Sequence, residues 1–222
     1  MALRLTTETD IVKNMEISYL GHASFRIKGK TATVVTDPYD ERCGKFPKDV
    51  TADIVTVSHG HSDHNQTKLV SSSFIVDGPG EYEVKGVSVI GVHSWHDEKN
   101  GAERGENTMY VIEMDGLRVA HLGDLGHKLS QDQIDDMGPI DIVMVPVGGK
   151  YTIDAKMASE VVKQLDSWVV IPMHYRQLMT DLAGVEDFLK EMGKPEVVPV
   201  PKYVISTDRL PGELQVVVLE RK

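Results

Sequence analysis

Three histidines and an aspartate lie within six consecutive positions, in the segment His59-Gly60-His61-Ser62-Asp63-His64. An apolar, β-branched run at 54–57 precedes them, and such a run bounded by polar residues predicts a buried strand. A chance His-x-His-x-Asp-His pattern is on the order of one in a thousand at this chain's own His and Asp frequencies. The segment therefore predicts a metal-binding loop at the end of a strand.

The spacing of these residues suits two neighbouring cations. In extended backbone, residues i and i+2 point to the same side, so His59 and His61 can bind one cation together. If the chain then tightens into a helical turn, Asp63 and His64 are directed toward a second cation close by. Imidazole and carboxylate suit Zn²⁺, and also Mn²⁺ or Fe²⁺. The expected cofactor is therefore two divalent metal ions, with zinc favoured over manganese or iron.

Three further residues of metal-binding type follow predicted strands: His96, Asp124 and His174. In α/β sheets, functional groups gather at the carboxyl ends of strands, so His59, Asp124 and His174 converge if their strands are neighbours. Among these three residues, Asp124 alone has a second oxygen with which to bridge two metals. The sequence thus predicts one site assembled from distant segments.

Five other polar residues each have more than one interpretation. His22, in the first predicted strand region, either supports a metal ligand or is a hydrogen-bonded core histidine. His127, in a glycine-flanked turn, either hydrogen-bonds to substrate or a metal ligand, or caps the following helix. Arg104, Lys150 and Tyr151 are candidates for contact with an anionic substrate, with solvated loop positions as the alternative.

The elements that must position these residues change character along the chain. The first half is dominated by predicted strands, at 15–27, 31–36, 54–57, 74–76, 84–92, 109–113 and 117–122. The second half alternates, with helices at 130–137, 154–165 and 185–192 and strands at 140–147, 168–173, 203–206 and 214–220. This pattern predicts one α/β domain over residues 1–222 with two sheets, in which residues 1–14 form a peripheral extension.

Composition limits the function classes. The 222 residues include 41% hydrophobic residues, enough for a core, without an apolar run long enough to span a membrane. A lone Cys43 and a start without an apolar signal region favour the cytoplasm. The net charge of −10 disfavours extended contact with nucleic acid, although two cations would offset it at the site. We expect a small-molecule substrate and no membrane partner, and a homo-oligomer is compatible with the sequence.

The order of candidate ligands resembles a known family. Asp37, His59-x-His61-x-Asp63-His64, His96, Asp124 and His174 follow the order of the five motifs of the metallo-β-lactamase superfamily. The phrases at 19–25, 148–154 and 171–175 look like a branch of small, stand-alone metal-dependent hydrolases related to L-ascorbate-6-phosphate lactonase. This resemblance implies a four-layer αβ/βα sandwich, with two mixed sheets flanked by helices.

The resemblance also implies a division of labour among the ligands. His59, His61 and His96 would bind one metal, and Asp63, His64 and His174 the other, with Asp124 bridging them. Asp37 would orient the ligand loop without binding metal. In the third motif both His93 and His96 are available. We favour His96, where the predicted strand gives way to a loop, because His93 would lie within the strand.

The function implied is hydrolysis by a hydroxide that bridges two metals, with Asp63 orienting it or accepting its proton. The favoured substrate is a small ester or lactone, or a phosphorylated metabolite. The alternative is a phosphodiesterase or ribonuclease, since tRNA 3′-processing nucleases share the ligand order, although the chain lacks an insertion long enough for their substrate arm. A mononuclear-iron oxygenase or a non-catalytic binding protein is less favoured, because flavodiiron relatives carry Glu at the position of His61 and degenerate members usually lose ligands.

Overall fold

The computed structural model describes residues 14–177 and 181–222, so the predicted peripheral extension lies almost entirely outside the described residues. The strands are β1 Met15–Gly21, β2 Ser24–Lys28, β3 Thr33–Thr36, β4 Val50–Thr56, β5 Val70–Val76, β6 Gly80–Val84, β7 Val87–Trp95, β8 Glu106–Met114, β9 Leu117–His121, β10 Ile142–Pro146, β11 Val169–Met173, β12 Tyr203–Ile205 and β13 Gln215–Val216. The helices are α1 Gln131–Met137, α2 Ala155–Leu165 and α3 Val185–Glu191, with short 3₁₀ helices at Glu41–Cys43, Thr67–Leu69 and Thr207–Arg209.

The strands form two mixed sheets. The first has six strands in the order β12-β1-β2-β3-β4-β5, and the second has seven in the order β13-β11-β10-β9-β8-β7-β6. The first sheet is antiparallel up to β3 and parallel from β3 to β5, whereas β9, β10, β11 and β13 run parallel in the second. Helices flank the sheets, which confirms the predicted fold class. None of the described helices is long and apolar enough to cross a membrane.

One large core lies between the two sheets. Ile17 and Phe25 from the first sheet and Met109 and Ile142 from the second are fully buried in the same hydrophobic cluster. A smaller cluster around Tyr39 and other buried side chains lies outside it. Burying a large apolar side chain contributes about 1.5–3 kcal/mol, so this core supplies a rigid frame for the loops at its edge.

Helix α2 shows how local sequence fixes an element. Asp154 accepts a hydrogen bond from the Met157 N–H at 2.8 Å and so caps the helix. Ala158, Val161 and Leu165 recur at helical spacing and are buried, which turns one face of the helix toward the core.

Two sequence predictions about strands were wrong in detail. The strand predicted at 15–27 is in fact β1 and β2, which pair antiparallel around a tight turn at His22 and Ala23. Gly21 and His22 both have left-handed φ angles, 123° and 56°, which a continuous strand cannot accommodate. The strand predicted at 84–92 corresponds to β7, and the residues before it form the separate strand β6, which pairs antiparallel with β7.

The topology brings the candidate residues to one edge of the molecule. The histidine-rich segment follows β4, and Asp37 follows the adjacent parallel strand β3. His96, Asp124 and His174 follow β7, β9 and β11 of the other sheet. The carboxyl ends of strands from both sheets therefore meet, as expected for a functional site in an α/β fold.

Candidate metal centre

Asp124 occupies the middle of a histidine cluster. One carboxylate oxygen, Oδ2, lies 3.3 Å from Nε2 of His64, 3.1 Å from Nε2 of His96 and 3.2 Å from Nε2 of His174. All four residues are buried. A single carboxylate that faces three imidazoles is placed to bind the same cations as those imidazoles.

One predicted ligand group assembles as a unit. His59, His61 and His96 each offer one ligand atom, and these atoms lie within 4.8 Å of one another. His59 and His96 are buried, whereas His61 is exposed, so the group opens to solvent on the side of His61. His93, the other candidate in this motif, lies in β7 with its side chain 41% exposed and next to Glu106. The structure therefore brings His96, and not His93, to the cluster.

The other predicted group is arranged differently. Ligand atoms of His59, His64 and Asp124 lie within 4.8 Å of one another, and so do those of His22, His64 and His174. Asp63 stands to one side, with Oδ2 3.6 Å from Nε2 of His22, and it forms a third group with His22 and Cys43. His22 therefore lies among the candidate ligands themselves, whereas the sequence predicted that it supports a ligand or belongs to the core.

Unpaired polar atoms indicate that the cluster fits a cation. Among the described residues, ten buried side-chain nitrogen or oxygen atoms lack a hydrogen-bond partner, and six of them belong to this cluster: His22 Nε2, His59 Nε2, His64 Nε2, His96 Nδ1, Asp124 Oδ1 and His174 Nδ1. Buried polar groups are otherwise nearly always satisfied, because an unmade hydrogen bond costs about 1–3 kcal/mol. A concentration of such atoms on imidazole and carboxylate groups fits divalent transition metals.

Asp37 orients the ligand loop through three contacts. Its carboxylate accepts hydrogen bonds from the Ser58 N–H at 2.8 Å and the Ser58 hydroxyl at 2.6 Å, and it lies 2.8 Å from Nδ1 of His64. Burial alone would raise the pKa of Asp37, but the contacts with His64 and Ser58 and the nearby His121 together outweigh burial and lower the pKa. His64 is thereby turned so that Nε2 faces Asp124, the arrangement that carboxylate–histidine pairs adopt around metals.

Burial keeps the imidazole of His59 neutral, which is the form that binds a cation. Desolvation lowers the pKa of His59 to about 3, so the ring is neutral at physiological pH. Burial would raise the pKa of Asp63, but the neighbouring His22 and His64 lower it below its usual range. Neutral imidazole and ionised carboxylate are the forms that bind metals.

Asn107 is a supporting residue that the sequence analysis missed. Its side-chain amide donates to Ser94 Oγ at 2.7 Å and to the Leu122 carbonyl at 3.0 Å, while its carbonyl oxygen accepts from the Asp124 N–H at 2.9 Å. It thereby fixes the backbone of Asp124 against β7. No local sequence signal distinguishes such an asparagine, because its partners lie on two other segments, β7 and the residues after β9.

His127 acts on the backbone next to the cluster. Its Nε2 accepts a hydrogen bond from the Trp95 N–H at 3.0 Å, and its Nδ1 lies 2.7 Å from the Lys128 carbonyl. His127 thus holds the residue that precedes His96 and does not itself contact the other imidazoles. His121, in contrast, is a buried core histidine whose Nε2 lies 2.7 Å from the Ala23 carbonyl.

Asp97 organises the loop that follows His96. Its carboxylate accepts hydrogen bonds from four backbone N–H groups, those of Lys99, Gly101, Glu103 and Arg104, at 2.7–3.0 Å. Burial would raise the pKa of Asp97, but these four donors outweigh it and lower the pKa to about 2. The loop that carries Arg104 is therefore held rigidly beside the cluster.

Replacing Asp97 with asparagine should loosen this loop. The amides of Lys99, Gly101 and Glu103 are expected to exchange with deuterium faster, since one carboxamide oxygen cannot replace a charged acceptor of four donors. Because the pKa of Asp97 lies below its ordinary 3.8, its stabilisation is complete above pH 3.8 and is lost as the pH falls toward 2. The difference in unfolding free energy between wild type and D97N should therefore shrink over that range.

The matched control for this prediction is Glu98→Gln, which removes a charge from the same loop at an exposed position. Amide exchange in E98Q should equal that of the wild type. Equal exchange in D97N and E98Q would show that the Asp97 carboxylate does not organise the loop.

A cavity of about 500 Å³ lies over the cluster. His61, Asp63, His96, Asp124 and His174 line it, together with Arg42, Arg104 and Tyr151. The sequence analysis did not single out Arg42, which contacts Ser62 and lies 3.8 Å from the Asp63 carboxylate. Lys150 lines a neighbouring cavity, where it pairs with Asp181 at 2.6 Å.

Comparison with known proteins assigns the family. The sequence model of the beta-lactamase superfamily domain matches residues 16–174, most of the chain. The chain belongs to the metallo-β-lactamase superfamily. A crystal structure of a superfamily protein from Thermotoga maritima is 40% identical, with a TM-score of 0.77, and the match covers 94% of this chain and 100% of that one.

Members of one group within the superfamily are similar over nearly their full length. The UPF0173 metal-dependent hydrolase Ta0764 of Thermoplasma acidophilum is 31% identical, over 80% of this chain and 90% of the relative. That of Thermococcus onnurineus is 29% identical, over 83% of this chain and 95% of the relative. The superfamily assignment and the fold agree with the motifs from which they were predicted.

Proposed function

We propose that this protein is a metal-dependent hydrolase that acts through two divalent cations, most favourably zinc. The observation that carries the proposal is the convergence of imidazoles around Asp124, with six unpaired buried polar atoms, beneath an open cavity. The names of its relatives as metal-dependent hydrolases support the reaction class. A cytoplasmic location belongs to the same proposal.

Two sets of residues would hold the two cations. His59, His61 and His96 would hold one, and Asp63, His64 and His174 the other, with Asp124 shared between them. Such cations, when bound by these residues, would lower the pKa of a bound water molecule toward neutrality and polarise a substrate oxygen. Asp37, Asn107 and His127 keep the ligand-bearing segments in place through the hydrogen bonds described above.

Asp63 is the proposed catalytic residue. Its carboxylate lines the cavity and remains ionised because its pKa lies below the usual range. An ionised carboxylate facing the reacting water can orient it and accept its proton. Neither a serine nor a cysteine nucleophile is needed, and burial raises the pKa of the Cys43 thiol to about 12, which keeps it protonated.

The cavity favours a substrate that carries negative charge. Arg42 and Arg104 line it with Tyr151, and the guanidinium of Arg104 lies 5.9 Å from the centre of the Tyr151 ring. Guanidinium groups bind carboxylates and phosphates through paired hydrogen bonds. We therefore infer a small ester or lactone with an anionic group, such as a phosphorylated metabolite, in keeping with the resemblance to the lactonase branch.

Arg104→Gln should raise KM for an anionic lactone about tenfold and leave kcat nearly unchanged, because a charge-assisted hydrogen bond contributes on the order of 1.5–3 kcal/mol. A neutral lactone of the same ring size should show little change. Lys190→Gln, at an exposed position on α3, is the control for loss of one positive charge. An equal rise in KM for both lactones would exclude Arg104 as the anion-binding residue.

A phosphodiesterase is the second candidate function. Arg104 lines three cavities, the one over the cluster and two that share further lining residues with it, so a longer substrate could extend beyond the centre. This arrangement suits a phosphodiester with groups on both sides of the scissile bond. The acidic net charge of −10 disfavours long contact with nucleic acid outside the site.

Metal content per chain and hydrolysis distinguish these functions. Protein purified without chelator should contain two zinc or manganese ions and should hydrolyse a generic lactone. Turnover of bis-p-nitrophenyl phosphate in place of the lactone would favour the phosphodiesterase. A single iron would favour an oxygenase, and absence of metal, even after reconstitution, would contradict the proposal.

A further inference from the structure

His22 occupies the turn between β1 and β2 in a strained but fixed conformation. Its φ angle is 56°, in the left-handed region that few residues other than glycine adopt. Its backbone carbonyl accepts hydrogen bonds from the Tyr19 hydroxyl and the His174 N–H, both at 2.8 Å. The turn is thereby tied to the end of β11, which places the His22 ring beside His174.

The imidazole of His22 faces the same point as two predicted ligands. Its ring centre lies 4.2 Å from that of His174 and 4.9 Å from that of His64. One ligand atom from each of the three rings lies within 4.8 Å of the others. Nitrogens bound to one zinc ion stand about 3.4 Å apart in a tetrahedral site with Zn–N bonds of about 2.1 Å, so small side-chain adjustments suffice.

The Nε2 atom of His22 is buried without a hydrogen-bond partner. Its nearest acidic group, Asp63 Oδ2, is 3.6 Å away, too far for a hydrogen bond. His121 shows what a purely structural buried histidine looks like in this protein, because Nε2 lies 2.7 Å from the Ala23 carbonyl and Nδ1 accepts from the Gly123 N–H. An unpaired nitrogen on a buried ring needs another explanation.

We propose that His22 binds a metal directly, as a third imidazole beside His64 and His174 at the second metal position. This inference rests on the proposed dinuclear centre and adds a ligand that the superfamily motif does not include. Three imidazoles with the shared Asp124 make that position nitrogen-rich. Such a position favours zinc or cobalt over magnesium or manganese, which prefer oxygen ligands.

Titration of metal-free protein with Co²⁺ tests the proposal without relying on activity. Asparagine tolerates the left-handed backbone, so His22→Asn removes the imidazole with little strain. We expect the wild-type protein to bind two Co²⁺ ions, and the d–d absorption of the bound cobalt measures each binding step. In H22N the step assigned to the second position should weaken at least about tenfold and the other should be unchanged. His93→Asn, at an exposed histidine outside the cluster, should titrate like wild type.

A second variant separates ligand loss from damage to the turn. His22→Gly fits the same backbone and leaves space for free imidazole, which should restore the weakened step. If one Co²⁺ binding step weakens and free imidazole restores it, the proposal is supported. If neither step weakens, if both weaken, or if imidazole does not restore the weakened step, the proposal is overturned. Wild-type protein that does not bind two Co²⁺ ions would contradict the dinuclear centre itself, an outcome distinct from an unchanged titration of H22N.

Discussion

The double substitution of His59 and Asp63 by alanine should abolish hydrolysis and leave the fold intact. His59 belongs to two of the metal-binding groups, as His22 and His64 also do, and Asp63 is the proposed proton acceptor. Loss of a general base alone lowers rates by about 10²–10⁴-fold, and loss of the activated water adds to this. We expect kcat/KM to fall on the order of 10⁴-fold or more. Turnover on a lactone is the measurement, with circular dichroism as the test of folding.

The fold should survive because both residues lie in the loop after β4 and outside the hydrophobic core. The matched control is His93→Ala with Asp136→Ala, which removes the same residue types from positions outside the cluster. That control should retain wild-type turnover. Activity retained in the His59/Asp63 variant would refute hydrolysis at this centre.

Asp124→Asn should reduce bound metal from two ions per chain to one or none. Asp124 Oδ2 lies within 3.3 Å of three imidazole nitrogens, so its charge is shared by both proposed metal positions. A neutral amide of the same shape keeps the packing but removes the anionic bridge. Elemental analysis after dialysis measures the occupancy, and kcat should fall with it.

The control for Asp124 is Asp166→Asn, at the exposed end of α2. Asp166 has a φ angle of 47°, which asparagine also tolerates, so this control makes the same chemical change outside the site. It should retain two metals. Two ions retained in D124N would show that the positions are filled independently of a shared carboxylate.

The positions of the strands and of the candidate ligands at their ends were predictable because they depend on local patterns, whereas the sandwich architecture was implied by the resemblance to the superfamily. Alternating and β-branched runs indicated most strands, and the helix over 154–165 followed from its apolar spacing. The ligands lie at strand ends, and we expected His59, Asp124 and His174 to meet if their strands were neighbours. The three residues do come together, but β4 belongs to one sheet and β9 and β11 to the other, so they meet where the edges of two sheets adjoin.

The residues that support the centre could not be read from the sequence. The turn at His22 depends on two left-handed residues, and the apolar residues around it look like one strand. Asn107 supports the centre because its partners come from two other segments, and Asp97 does so because a loop folds back onto it. Arg42 reaches the cavity only through tertiary packing. Such roles arise from contacts between distant segments, which local propensities do not encode.

Left-handed backbone at the centre has a consequence for thermal adaptation. His22, Asp37 and His174 have φ angles of 56°, 37° and 51°, and residues held in this region carry roughly 1 kcal/mol or more of strain each. Glycine at any of the three would relieve that strain while deleting a functional side chain. For heat resistance, however, that gain is offset, because glycine would also leave buried partners of these side chains unpaired, such as the Ser58 groups that donate to Asp37. The strained backbone is therefore expected to persist as long as those contacts are made.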